Sequence, residues 1–405
     1  DSLVLVGGAL NAPLVNNGLV LIQDAVTLGG SITTAPSSII RARGASGFGT
    51  GALTVTDGFT NTGRIELTSI NGGFTSSVAV TNGTLLNATG GVIEAQPGAG
   101  GARTLAAQLD NQGTVTLNTP MTLARANSVH LNSGTIDLVG GGFTVTQSGA
   151  PASFTNTGTI NLASWTLSMG GGTIDFTAGL VNGPTGSLST SLSTLSFTPA
   201  TVVAPMAISV TTTVPHTVTV PSGQLLHLIG GTLAAPIVNN GTVLVNSTVN
   251  LTGAITTGAT SVMRVQGRSG FGTATLNVTN GFTNNGTLEL TSIDGGFSSA
   301  MSITTGSLVN AAGATFNVLT GAGGARTFTG ALIDNLGTLG VSLGWTANTA
   351  LDQRNVMNVT AGTTTVNGAS TFHGGSVTTL SGPGALVKAG GCTNLGGTGN
   401  GSACP

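Results

Sequence analysis

Apolar and polar residues alternate in short stretches along the whole chain, and each stretch ends at a turn rich in glycine and asparagine. In Gly63-Arg64-Ile65-Glu66-Leu67 the alternation predicts a strand with Ile65 and Leu67 facing inward and Arg64 and Glu66 facing outward, because successive strand side chains point to opposite sides. Thr135-Ile136-Asp137-Leu138 and Thr287-Leu288-Glu289-Leu290 have the same parity. These strands belong to the consensus apolar-x-Asn-x-Gly-Thr-apolar-x-apolar, as in FTNTGRIEL (59–67), LDNQGTVTL (109–117), HLNSGTIDL (130–138), FTNTGTINL (154–162), IVNNGTVLV (237–245) and FTNNGTLEL (282–290). The glycine gives the backbone freedom for a sharp corner. The asparagine suits a stacked position, where its amide both donates to and accepts from the next asparagine along the stack. The expected ladder comprises Asn61, Asn87, Asn111, Asn132 and Asn156, then Asn284, Asn310 and Asn335, with Asn16, Asn182 and Asn239 as further turn markers.

Most markers are 21 to 26 residues apart. The 45-residue steps read as two turns with one asparagine missing, and the 57-residue step from Asn182 to Asn239 as at least two turns. A unit of about 24 residues cannot bury its apolar face alone, so stacking must supply the core. The expected fold is all-β: a parallel β-helix, or β-solenoid, of right-handed type with turns of about 24 residues. About 17 such turns at ~4.8 Å each would make a rod near 80 Å long.

A longer repeat has a period of 223 residues: 21 of the 31 positions in 47–77 are identical to those in 270–300. The same offset joins Gly100-Gly101-Ala102-Arg103-Thr104 to Gly323-Gly324-Ala325-Arg326-Thr327, and beyond residue 117 the copies lose register. Expected blocks are therefore 1–223, 224–389 and a Gly/Cys-rich tail or cap at 390–405. Because the chain starts inside one copy and ends inside the next, it reads as an excerpt of a longer array or a duplication that lost its ends.

Composition narrows the function. Charged residues are 5% of the chain, against roughly 25% in ordinary soluble proteins. Glycine is abundant without a G-X-Y period, so collagen is excluded. The wealth of β-branched residues argues against disorder. With one lysine, Lys388, and a net charge of −2, there is no basic patch for a nucleic acid. No apolar run approaches the ~20 residues of a membrane-spanning helix.

The expected site chemistry is sparse. Aligning turns on their inward pairs places Arg41 beside Glu66 and Arg264 beside Glu289, as cross-turn ion pairs worth about 0.2–1 kcal/mol. Arg103 and Arg326 sit in glycine-rich loops kept in both copies and are candidates for a ligand-binding loop face; the alternative is hydrogen bonding to nearby carbonyls or to Asp110 and Asp334. Cys392 and Cys404 form a candidate disulfide, which implies an oxidising compartment. The 12 acidic residues are scattered, with Glu66 and Glu94 at best a turn apart, and the histidines lack metal-ligand spacing. No catalytic residue, metal ligand or cofactor is expected. An ice-binding face would need threonine at one position on successive turns, but the position two after Thr135, Thr159 and Thr287 holds Asp137, Asn161 and Glu289.

Turns such as FTNTGTINL and FTNNGTLEL, with glycine-rich corners and almost no lysine, resemble the passenger repeats of bacterial autotransporter and filamentous-haemagglutinin-like adhesins. The resemblance covers most of the chain and implies a secreted or surface-displayed structural and adhesive rod. It supplies no catalytic residue. Expected partners are host or matrix glycans and proteins, or the chain itself. Open solenoid ends would suit a fibre subunit that stacks end to end, and a polysaccharide-processing or ice-binding β-helix is the remaining alternative.

Overall fold

The structure is a computed structural model that describes residues 2–404. The described residues contain 43 strands and no helix, and the paired strands of the solenoid are parallel. The chain divides into two compact units, Asp1–Pro205 with Thr211–Thr213 and Met206–Val210 with Val214–Pro405. The division falls before the junction expected at residue 223. Between Phe197 and Val218 the sole strand among the described residues is Met206–Ile208.

Within the first unit each turn runs through three sides. Arg64–Ser69 lies on the first side. A loop leads to Ser76–Asn87, which crosses the second side at 76–80, bends, and continues on the third side at 85–87. Val92–Ala95 then returns to the first side in parallel register, with Ile93 on Ile65 and Ala95 on Leu67. The second unit repeats this path in Thr287–Ser292, Ser299–Asn310 and Thr315–Val318. Nine strands occupy the third side of each unit. The turns average about 22 residues. They are longer where a glycine-rich loop intervenes, with 26 residues from Asn61 to Asn87, and shorter where it is missing, with 21 from Asn111 to Asn132.

Alternation delivers the core. Ile65, Leu67, Ile93, Val115, Leu117 and Ile136 on the first side are 0% exposed. One inward column of the third side reads Leu85, Leu109, His130, Phe154, Ile174 and Leu195 down the stack. Each side chain rests on its equivalent a turn away, so no turn could bury these groups by itself.

Asn61 donates through Nδ2 to Asn87 Oδ1 at 2.8 Å, Asn87 to Asn111 at 2.7 Å, Asn111 to Asn132 at 2.6 Å and Asn132 to Asn156 at 2.7 Å. In the second unit Asn284 donates to Asn310 at 2.9 Å, Asn310 to Asn335 at 2.7 Å, and Asn335 to Gln353 Oε1 at 3.0 Å. Most of these amides also reach a backbone carbonyl of the next turn, as Asn87 does with Thr114 at 3.2 Å. In the 45-residue steps Thr34 and Thr257 fill the missing place, paired in register with Asn16 and Asn239. The chain stops the first ladder at Asn156. Asn182, expected to mark the next turn, lies on the first side instead, paired with Asn161.

The consensus glycine has a different role from the one expected. A Cβ on Gly63 would lie 2.4 Å from the Ser38 carbonyl, and one on Gly134 would lie 2.1 Å from the Gly113 carbonyl. Neither residue is at positive φ. Glycine is needed there because consecutive turns touch, not because the corner is left-handed.

Asn111 is 0% exposed and bonded on both sides. Asn111→Leu leaves the Asn87 amide and the Asn132 carbonyl oxygen buried without their ladder partner. The expected loss is about 2–3 kcal/mol, read as a lower midpoint in urea unfolding at unchanged slope. A midpoint within error of the parent would show that the ladder adds no net stability.

Candidate functional site

The anticipated charge pairs meet on the first side. Arg41 Nε and Glu66 Oε2 are 2.5 Å apart, as are Arg264 Nε and Glu289 Oε2. Glu66 is stacked directly on Glu94, and Arg64 bonds Glu94 while lying 3.9 Å from Glu66. Glu66 faces outward yet is only 4% exposed, because the two arginine side chains cover it. A second carboxylate pair escaped the sequence reading. Asp334 and Asp352 stack on adjacent turns, and Arg354 bridges them at 2.7 and 2.9 Å. The hydrogen bond to Asp334 does most to raise the Arg354 pKa, and the charges of both aspartates add to it. In both pairs an arginine takes up carboxylate oxygens, so neither presents two free carboxylates across a cleft.

Of the two readings of Arg103 and Arg326, the structure shows bonding to nearby carbonyls and not a ligand-facing surface. Each is 1% exposed. The loop 96–102 curls around the Arg103 guanidinium, which donates to the carbonyls of Gln96 at 2.9 Å, Pro97 at 2.7 Å and Gly100 at 2.9 Å, and to Ser69 Oγ at 3.1 Å. Arg326 repeats the arrangement with Leu319, Thr320, Gly324 and Ser292. Burial lowers both pKa values. These arginines staple their loops to the stack, and Asp110 and Asp334 are not their partners. A guanidinium with five donors satisfies a ring of carbonyls that no smaller group could.

Cys392 and Cys404 are bonded, with Cα atoms 5.4 Å apart. The tail continues the solenoid more than its composition suggested. Cys392–Leu395 pairs in parallel with Ser370–His373, and Thr398 bridges to Val377. Asn400 then accepts from the Leu380 amide at 2.7 Å and donates to the Leu380 carbonyl at 2.8 Å, so these residues occupy the strand edge left by Val377–Leu380.

Two features were not legible before the structure. The first is the outer surface of the second side. In the first unit its two outward columns, from Ala25 and Thr27 to Ser189 and Ser191, hold only Ala, Ser, Thr and Gly. In the second unit one column reads Thr248, Thr275, Ala300, Thr327, Thr346, Thr365 and the other Asn250, Asn277, Ser302, Thr329, Asn348, Asn367. No charged residue falls in these columns. The mixed face noted in the sequence is the first side, which carries the ion pairs.

The second feature is a depression at the bend between the second and third sides. In the first unit it is lined by Asp57, Gly58, Phe59, Thr60, Asn82, Gly83, Thr84 and Leu86, with a volume of about 400 Å³. In the second unit Asn280, Gly281, Phe282, Thr283, Thr305, Gly306, Ser307 and Val309 line one of about 400 Å³. Every lining position is offset by the same 223 residues. The register shifts here, between Asp57 and Phe59 and between Asn280 and Phe282, and this irregularity bends the strand and opens the concavity. Gly58 is forced, since a Cβ would sit 2.4 Å from the Thr84 carbonyl.

No protein-family model, curated protein or solved structure matches the chain.

His130 is the strongest titration signal. It occupies an apolar inward position, 1% exposed, with Nδ1 accepting from the Leu109 amide at 3.2 Å and its ring 6.2 Å from that of Phe154. Burial, aided by Arg125, lowers its pKa from 6.5 to about 4. The folded chain therefore holds a neutral imidazole while the unfolded chain protonates, so stability falls as pH drops from 6.5 towards 4 and this contribution levels off below that. The depressed value corresponds to about 3 kcal/mol across that window. His130→Leu should flatten this part of the pH–stability curve, measured by urea unfolding between pH 7 and 4. A variant curve parallel to the parent's would place the acid sensitivity elsewhere.

Proposed function

We propose that the chain is an extracellular structural and adhesive β-solenoid of a bacterial surface protein, and that its work is presentation and contact rather than catalysis. The observation that carries the proposal is the use made of the chemically able groups. The stacked glutamates and the paired aspartates are engaged by arginines of the same solenoid, and the loop arginines by carbonyls of their own loops. A disulfide-closed tail supports an oxidising, extracellular compartment. The resemblance of FTNTGTINL and FTNNGTLEL to adhesin passenger repeats supports the same setting. The fibre-subunit alternative keeps support of its own: residues 398–400 line only the edge of Val377–Leu380, while Ala385–Lys388 and Cys392–Leu395 pair with no later strand among the described residues.

The test is attachment. Displayed on a non-adherent bacterium, the chain should raise binding to epithelial cells or matrix-coated wells several-fold over an empty display scaffold. In its native cell it should be cleaved by protease added outside, with Cys392 and Cys404 refractory to thiol alkylation until reduced. No gain in attachment, together with free thiols in a cytoplasmic fraction, would refute the proposal.

The uncharged second side favours one other reading, a face for ice. Threonines recur there in register on successive turns, as in Thr104, Thr122 and Thr144 and in Thr327, Thr346 and Thr365. On that reading the chain slows ice recrystallisation, and Thr122→Lys with Thr346→Lys abolishes the effect. A parent chain that leaves ice grain growth unchanged removes it.

A further inference from the structure

We propose that the paired depressions at the bend between the second and third sides are binding sites for a neutral glycan, one in each unit. The inference rests on the adhesive reading, for which it names the ligand class. Its first support is duplication. The two copies differ at many surface positions, yet the depression recurs at the same offset with the same volume of about 400 Å³. That volume lies within the range of small-molecule sites.

The second support is the pattern of change between copies. Gly58, Phe59, Thr60 and Gly83 are identical to Gly281, Phe282, Thr283 and Gly306. Where the lining differs, its character persists: Asn82 becomes Thr305, Thr84 becomes Ser307, and Leu86 becomes Val309. Asp57, the one charged residue lining the first depression, becomes neutral Asn280. A ligand common to both sites is therefore not recognised through charge, which sets aside metal ions, phosphates and acidic sugars. What remains is a floor with an aromatic edge and a rim of amide and hydroxyl groups. Phe59 and Phe282 are each 7% exposed, whereas Phe143, Phe176 and Phe328 in the closed core are at 0%. A hexose matches this combination, placing C–H groups against the ring and hydroxyls against the rim.

A peptide fits less well. Extended peptides bind by adding to a free strand edge, and at the bend the strands are flanked on both sides by neighbouring turns, as Gly51–Asn61 pairs with Ser76–Asn87 and the latter with Arg103–Asn111. At the bend of the first unit the carbonyls of Thr81 and Gly83 are taken up by the Arg125 guanidinium, at 2.6 and 2.7 Å. The accessible chemistry is that of side chains around a shallow bowl.

Isothermal titration of the full chain with cellohexaose, maltohexaose and mannohexaose, with hexagalacturonate as the anionic control, tests the proposal. At least one neutral sugar should bind with two sites per chain, and the anionic one should bind at least tenfold more weakly. Thr60 and Thr283 are exposed at the rim. Thr60→Arg should reduce the stoichiometry to one, and Thr60→Arg with Thr283→Arg should abolish binding at an unchanged melting temperature. Asn82→Ala with Thr305→Ala, which fills no space, should weaken binding without altering the fold. Binding by none of the neutral sugars, preference for hexagalacturonate, or two sites surviving in the double arginine variant would each overturn it. Run beside the attachment assay, the outcomes separate. Attachment without sugar binding defeats the glycan sites alone, and sugar binding without attachment defeats the adhesive role.

Discussion

Contact between one turn and the next at backbone hydrogen-bonding distance is the constraint on which the rest of this structure depends. A turn of about 22 residues has no interior of its own. Its apolar side chains are buried because the neighbouring turn presents equivalent side chains in register, and its amides and carbonyls are satisfied because that neighbour is parallel. The consensus glycine follows from the same constraint, since any side chain at Gly63 or Gly134 would strike a carbonyl of the adjacent turn. So does the asparagine ladder. A side chain at a corner buried between turns must both donate and accept along the stack, and the carboxamide does so in a single group.

Stacking also governs where polarity is tolerated. The sequence has few charges, and several of those on the flat sides face an opposite charge a turn away. The copies show how such a pair is removed. Arg64 and Glu94 bond in the first unit; at the equivalent positions of the second unit stand Thr287 and Asn317, both neutral. Losing one partner would leave a partly covered charge beside Glu289, whereas losing both leaves neutral groups that the surface accommodates. Arg41–Glu66 and Arg264–Glu289 are kept instead as complete pairs. At Arg64 and Glu94 the copies thus changed as a cross-turn pair.

How much was legible in the sequence depends on whether a feature is local to a turn or arises between turns. The inward alternation at Ile65 and Leu67 and the spacing of the asparagines are written in consecutive residues, and with them came the parallel solenoid, the ladder partners and the Arg41–Glu66 alignment. Asn182 shows the limit. Its Leu180-Val181-Asn182 shares the apolar-x-Asn start of the others, but the preceding strand Thr173–Phe176 already fills the third side, so Leu180–Asn182 docks on the first. For Arg103 the sequence left a ligand-facing surface and bonding to nearby carbonyls both open, because the carbonyls of its own loop leave no trace in residue identity. The depressions were invisible for a related reason. They exist where two adjacent strands disagree by a residue at their bends, which no single strand reveals.

That distinction bears on where function can reside in such a chain. Groups that a turn needs for its own stacking are spoken for: the ladder amides, the stapling arginines and the inward aromatics cannot serve a ligand without releasing a neighbour. Freedom is confined to outward positions between corners and to places where the register slips. The outward columns of the second side are smooth and uncharged in both units, and the bends beside them at Asp57 and Asn280 are where the pleated surface turns concave. A solenoid that meets its surroundings through this strip does so with hydroxyls, amides and small apolar groups, which favours broad neutral surfaces over charged partners.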